Sequence, residues 1–393
     1  MKRLLVISYY TPPLGLSGVM RVTKLCKFLP EFGWQPLILT VKPVAYYAYD
    51  LDLLSDLKAA RLYRTESLDP NRLLFLMGFK GARLQGLQAT GSRRLTCLFP
   101  DSKIGWLPFA LAKGRRMIQE QYPSAIYATA PPFTSLLVAL RLKRYFRLPL
   151  VTDFRDPWPT GFVPPPGWQK PLLTRLRKRI LQKSDLVLAV NRGTAKAVGP
   201  GVMVLENGFD PEEFEAEPVR LDGFSILHVG NLWENETELI TFAQALSSIP
   251  DARLYLAGNV HPATLSWLRP NPQVKFLGTL PHKEVCRLMK GADVLFYLGK
   301  PNQPVGLKLY EYLGARRPIL VCGPDIKEAE EIVQECGAGV VSDLNAPGLT
   351  AALERLRQGA EHFAQGPRDR FNRRLQARWL AARLDELTGK REP

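Results

Sequence analysis

From Leu4 to Val341 the chain alternates short apolar, β-branched runs with longer amphipathic stretches. That alternation admits few folds: each pair reads as a βαβ unit, and repeated units build a mostly parallel sheet flanked by helices. The first series of predicted strands is LLVISY (4–9), PLILTV (36–41), AIYAT (125–129), LVTDF (150–154), LVLAV (186–190) and VMVL (202–205). A helix from about Gly18 to Phe32 ends at Gly33, a natural left-handed stop. The alternation breaks at ENGFDPEEFEAEPVRLDG (206–223), which is acidic and holds two prolines. It resumes with SILHVG (225–230), ARLYLAG (252–258), VKFLG (274–278), VLFYL (294–298), PILVC (318–322) and AGVV (338–341). The expectation is two similar α/β domains, 1–205 and 224–369, joined by a 206–223 linker. In the remaining 370–393, Phe371, Leu375, Trp379, Leu380 and Leu384 are spaced for one face of a helix that packs across both domains.

At 393 residues the chain is too long for one small binding module, and 46% hydrophobic with 23% charged residues excludes a disordered chain or a fibre. Charge is uneven. Residues 1–200 carry 31 Lys and Arg against 11 Asp and Glu, whereas 201–393 carry 22 against 26. An excess confined to one half suggests a polyanionic partner: nucleic acid, an anionic membrane surface or a phosphorylated substrate. Five cysteines without a CxxC pair argue against a disulfide framework or zinc ribbon. With no apolar run of about 20 residues and no signal peptide, the expected location is cytoplasmic, peripheral to the inner face of the membrane.

Four segments could carry chemistry. Gly15-Leu16-Ser17-Gly18 leads from the first strand into a helix, where free amides and the helix dipole favour phosphate, although the spacing matches neither a dinucleotide nor a Walker loop. PLVTDFRDPWPTGF (149–162) puts Asp153, Arg155 and Asp156 at a strand's carboxyl end, where open α/β sheets hold ligands; the competing reading is a structural ion pair. In PNQPVGLKLYEYLGARRPILVCG (301–323), Gly306 precedes a helix in which Lys308 and Glu311 share one face. A lysine and free amides there can hold a diphosphate without metal, and a carboxylate can accept both hydrogen bonds of a ribose cis-diol. Finally, residues 70–100 hold five basic and no acidic residues, suiting either a membrane interface or a helix and loop packed on the sheet. The basic helix at 171–185 has the same two readings. Asp50-Leu51-Asp52 is read as an incidental D-x-D. The four histidines lack ligand spacing, His228 is read as core, and no metal is expected.

Val229-Gly230-Asn231, Gly278-Thr279-Leu280, Lys308, Tyr310-Glu311-Tyr312-Leu313 and Arg317-Pro318-Ile319 together resemble the donor domain of GT-B glycosyltransferases of the retaining family 4 type. YYTPPLGLSGVMRVTKLCKFLPEFGWQP, PDSKIGW, ATAPPFTS and DFRDPW resemble a bacterial branch associated with surface polysaccharide assembly, including lipopolysaccharide. The resemblance implies two Rossmann-like domains facing each other across a cleft and a metal-independent, retaining transfer from a nucleotide-sugar to a glycan or lipid-linked acceptor. Under it, Glu311 binds the donor ribose, and Lys308 with the amides of Gly306 and Leu307 holds the phosphates. Gly278, Thr279 and Leu280 border the base, and Gly230 and Asn231 lie against the diphosphate. Gly15, Ser17 and Gly18 close over the sugar, and Asp153, Arg155 and Asp156 line the acceptor side. Two positions depart from the pattern. Gln303 stands where the family has an acid eight residues before Glu311. Asn231-Leu232-Trp233-Glu234 stands where Arg and Lys are frequent, leaving Lys308 to carry the phosphate charge. A nucleotide-sugar epimerase of the same fold and a non-catalytic polyanion binder are the rival readings.

Overall fold

Leu5 and Ile7 face one hydrophobic cluster and Leu4 and Val6 another, and none of the four is more than 1% exposed. Strand β1 (Lys2–Ile7) is therefore buried on both faces, as a central parallel strand covered by helices must be. Around it lie β2 (Trp34–Val41), β3 (Arg61–Thr65), β4 (Ala125–Ala130), β5 (Leu150–Phe154), β6 (Leu186–Ala189) and β7 (Met203–Val204), in the order β3-β2-β1-β4-β5-β6-β7. Every pairing is parallel. A second sheet comprises β8 (Phe224–Val229), β9 (Ala252–Ala257), β10 (Val274–Gly278), β11 (Val294–Leu298), β12 (Ile319–Cys322) and β13 (Gly339–Val341), ordered β10-β9-β8-β11-β12-β13. The order reverses between β1 and β4 and again between β8 and β11. At such switch points the connections diverge and leave a crevice beyond the strand carboxyl ends.

This computed structural model describes residues 1–15, 17–45, 49–78, 98–158, 167–233, 236–301, 305–364 and 366–389. It divides into one unit of Met1–Asn207 with Arg373–Pro393 and a second of Gly208–Asn372. Both are Rossmann-like. The segment from Gly208 belongs to the second unit, because Phe209 and Phe214 are buried in that unit's core with Tyr310 and Phe371. The C-terminal helix, Arg373–Gly389, belongs to the first. Its buried face is Arg373, Gln376, Ala377, Leu380, Ala381 and Leu384, while Phe371 precedes the helix and packs in the second unit.

The predicted helix after the glycine loop is α-helical over Ser17–Phe28 and tightens to a 3-10 turn, Leu29–Phe32, before Gly33 at φ 82°. Strand β3 was not anticipated. Its RLYRT runs from exposed Arg61 through three half-buried residues to buried Thr65 at a sheet edge, and lacks the apolar run of an interior strand. Asp50 accepts the Asp52 amide at 3.0 Å, so that D-x-D opens a turn. Within 70–100, the helix Pro70–Leu76 is capped by Asp69 and exposes Leu73 and Leu76; residues 79–97 lie outside the described residues. Among the described residues, no helix is long and apolar enough to cross a membrane.

Candidate active site

In the second unit, β8 ends at Val229 and the next residue, Gly230, has φ 146°. The following strand end, Gly258 at φ 135°, lies so close that a Cβ there would sit 2.2 Å from the Gly230 carbonyl oxygen. Glycine at both positions lets the two chains turn together at the mouth of the sheet. After β11 the chain reaches Gly306, the N-cap of helix Leu307–Ala315, which receives no side-chain cap. Tyr312 of this helix accepts the Val229 amide at 2.8 Å and donates to the Phe296 carbonyl at 3.3 Å. The helix is thereby pinned to the ends of β8 and β11.

Between them lies a pocket of about 140 Å³ whose lining includes His228, Gly230, Asn231, Lys300, Gly306 and Lys308. Lys308 pairs with Glu311 at 2.5 Å, with 34% of the lysine side chain exposed and 3% of the glutamate's. Burial pulls the Lys308 ammonium down, but the Glu311 carboxylate more than reverses this and holds it above the ordinary lysine range. The second Glu311 oxygen, Oε1, is buried without a hydrogen-bond partner. Such an oxygen costs roughly 1–3 kcal/mol, so it marks a place for a donor. Lys300, just after β11, donates to the Asn231 carbonyl at 3.1 Å and adds a second ammonium to the pocket. Lys308 therefore does not stand alone where the Asn231 segment lacks basic residues.

The pocket thus gathers Gly230, Asn231, Gly306 and Lys308, with Glu311 behind Lys308. The Gly306 amide donates to the Tyr297 hydroxyl at 3.0 Å and the Leu309 amide to the Gly306 carbonyl at 3.2 Å, while the helix start itself borders the pocket. Gly278, Thr279 and Leu280 do not line it: Gly278 turns at φ 67°, and Thr279 donates to Asn259 at 3.3 Å. Gln303 lies outside the described residues.

His228 is buried, as expected of a core residue, yet it lines the pocket. Its Nδ1 is 3.0 Å from the Phe296 carbonyl, an acceptor, so Nδ1 carries the proton and Nε2 the lone pair. Burial, against that hydrogen bond, pushes its pKa down to about 4. The unfolded chain takes up this proton below pH 6.5 and the folded protein only near 4. Stability attributable to His228 is therefore present above 6.5 and falls as pH drops through that window, by on the order of 3 kcal/mol. Urea unfolding at pH 7.5 and 5 should show a loss that shrinks in His228→Asn; an unchanged loss would place the titration elsewhere.

In the first unit, Asp153 requires correction. It is fully buried, and its carboxylate is held by Arg21 at 2.7 and 2.9 Å, by Tyr127 at 2.7 Å and by Thr129 at 3.2 Å. Burial raises its pKa, but Arg21 overcomes that and holds it below the usual carboxylate range. Asp153 lies inside β5 and meets Arg21 of helix Ser17–Phe28, so it is an interior ion pair and cannot touch an acceptor. Arg155 donates to the carbonyls of Gly18 and Pro131. A Cβ on Gly18 would meet its guanidinium, so this glycine admits the latch. Gly15 is buried in the loop and Asp156 is the exposed member of the acid pair; the Ser17 side chain lies outside the described residues.

Residues 19–200 match the glycosyl transferase 4-like domain, and residues 223–358 match glycosyl transferases group 1. The chain belongs to the GT-B glycosyltransferases of the family 4 type. This glycosyltransferase shares its fold with sucrose-phosphate synthase from Thermosynechococcus elongatus (TM-score 0.65, 16% identity, 99% of this chain and 100% of that one). HepE from Anabaena, solved with UDP, is also similar (TM-score 0.59, 16% identity, 99% and 98%). So is a Listeria monocytogenes protein described as a UDP-N-acetylglucosamine 2-epimerase (TM-score 0.62, 12% identity, 99% and 97%). No curated protein matches the sequence.

Proposed function

We propose that this glycosyltransferase takes its sugar from a nucleotide-sugar and passes it, with retention of configuration and without a metal in the transfer step, to a lipid-linked glycan. The observation that carries the donor reading is Glu311, one oxygen on Lys308 and the other unpaired, behind the uncapped start of helix Leu307–Ala315. A diphosphate in the pocket would draw Lys308 and Lys300 towards its oxygens, while a ribose cis-diol would donate to Glu311. The two ammoniums and the helix-start amides then stabilise the charge that develops as the glycosidic bond breaks. The departing phosphate takes the acceptor hydroxyl's proton.

The membrane reading is supported by helix Gln169–Lys183. Leu173, Leu176 and Ile180 are buried, while Lys170, Arg175, Lys178, Arg179 and Lys183 are exposed beside Trp168, itself 56% exposed. The buried face packs on the domain, and lipid contact would fall to the exposed basic face. No acidic residue occurs between Asp156 and Asp185, so the outward face suits anionic headgroups.

Thermal shift against UDP, GDP, dTDP and CMP tests the donor. UDP is the expected ligand, since the similarly folded HepE holds it; at a hundredfold excess over Kd the gain is about 2.7 kcal/mol. Stabilisation by none of the four would end the reading. Donor consumed without acceptor would instead favour an epimerase, the activity named for the Listeria neighbour.

A further inference from the structure

Glu213, His282 and Cys286 place one ligand atom each within 4.8 Å of one another, and none of them lines the pocket above. His282 and Cys286 are one turn apart on helix His282–Gly291, and Glu213 comes from the turn Pro211–Phe214. His282 Nε2 lies 3.2 Å from Glu213 Oε2 and 3.6 Å from Cys286 Sγ. A cation at the centre would be bound by all three. Tetrahedral zinc with its usual bond lengths puts nitrogen and oxygen ligands about 3.4 Å apart and nitrogen and sulfur about 3.5 Å apart, close to the 3.2 and 3.6 Å observed; it puts oxygen and sulfur about 3.6 Å apart, against a third spacing that lies within 4.8 Å.

We propose that Glu213, His282 and Cys286 form a zinc site, with the fourth position taken by water. A thiolate, an imidazole and a carboxylate together favour zinc over magnesium or calcium, which prefer oxygen alone. The turn carrying Glu213 also holds Phe214, which packs in one cluster with Leu309 and Tyr310 of the helix that bears Lys308. Zinc would fasten that turn to helix His282–Gly291, a structural role beside the Lys308–Glu311 pair, whose charges reach all three residues.

The test uses the full chain, stripped with a chelator under reducing conditions and titrated with zinc alone against a chromogenic competitor. One equivalent should bind, and cobalt in its place should give a thiolate-to-metal charge-transfer band. Cys286→Ser should abolish that band and weaken zinc binding by more than about 100-fold, and Glu213→Gln should weaken binding while retaining the band. Far-ultraviolet circular dichroism checks that each variant folds. No stoichiometric binding, no band with the unaltered chain, or equal binding by folded Cys286→Ser would each overturn the site.

Discussion

Lys308→Met is expected to lower sugar transfer at saturating donor by at least about a hundred-fold, the loss typical of removing one preorganised group from developing charge. Steady-state kinetics measure it, but stability must be followed alongside. Glu311 is 2% exposed and would lose its charged partner. Breaking a buried pair costs about 3–5 kcal/mol, and the exposure of Lys308 brings this case below that range. The double variant Lys308→Met/Glu311→Gln removes the stranded charge, so it should recover stability while remaining inactive. If Lys308→Met transfers sugar at the unaltered rate, the pocket does not hold the leaving group.

Asp153→Ala should behave in the opposite way, with a large loss of stability and little change in turnover per folded molecule. Arg21 is 1% exposed and would be left as an uncompensated interior cation, at a cost of about 3–5 kcal/mol by urea unfolding. Arg21→Met/Asp153→Leu should cost less than the two single changes summed, because the pair acts as one unit. A folded, fully stable and inactive Asp153→Ala would return this residue to the chemistry.

The strands of both sheets were largely legible because parallel strands buried on two faces are written as apolar runs, as LLVISY shows for β1. RLYRT at β3 was not, since an edge strand needs only one half-buried face. Lys308 and Glu311 were legible for a related reason: three residues apart on one helix, they must be neighbours. Lys300 and His228 were missed because each reaches the pocket through pairing between strands far apart in sequence. The strand-end position of Lys300, next to the β11 run, is the signal that could have found it.

Local order, then, came from the amino-acid string: where strands and helices alternate, where glycine permits a turn, and which side chains share a helical face. These depend on spacings of a few residues. Tertiary structure alone decided that Asp153 faces Arg21, 132 residues away, and not solvent, and that Lys300 joins Lys308. Those outcomes depend on which strands lie side by side and which helix covers them, a choice made by the packing of whole faces.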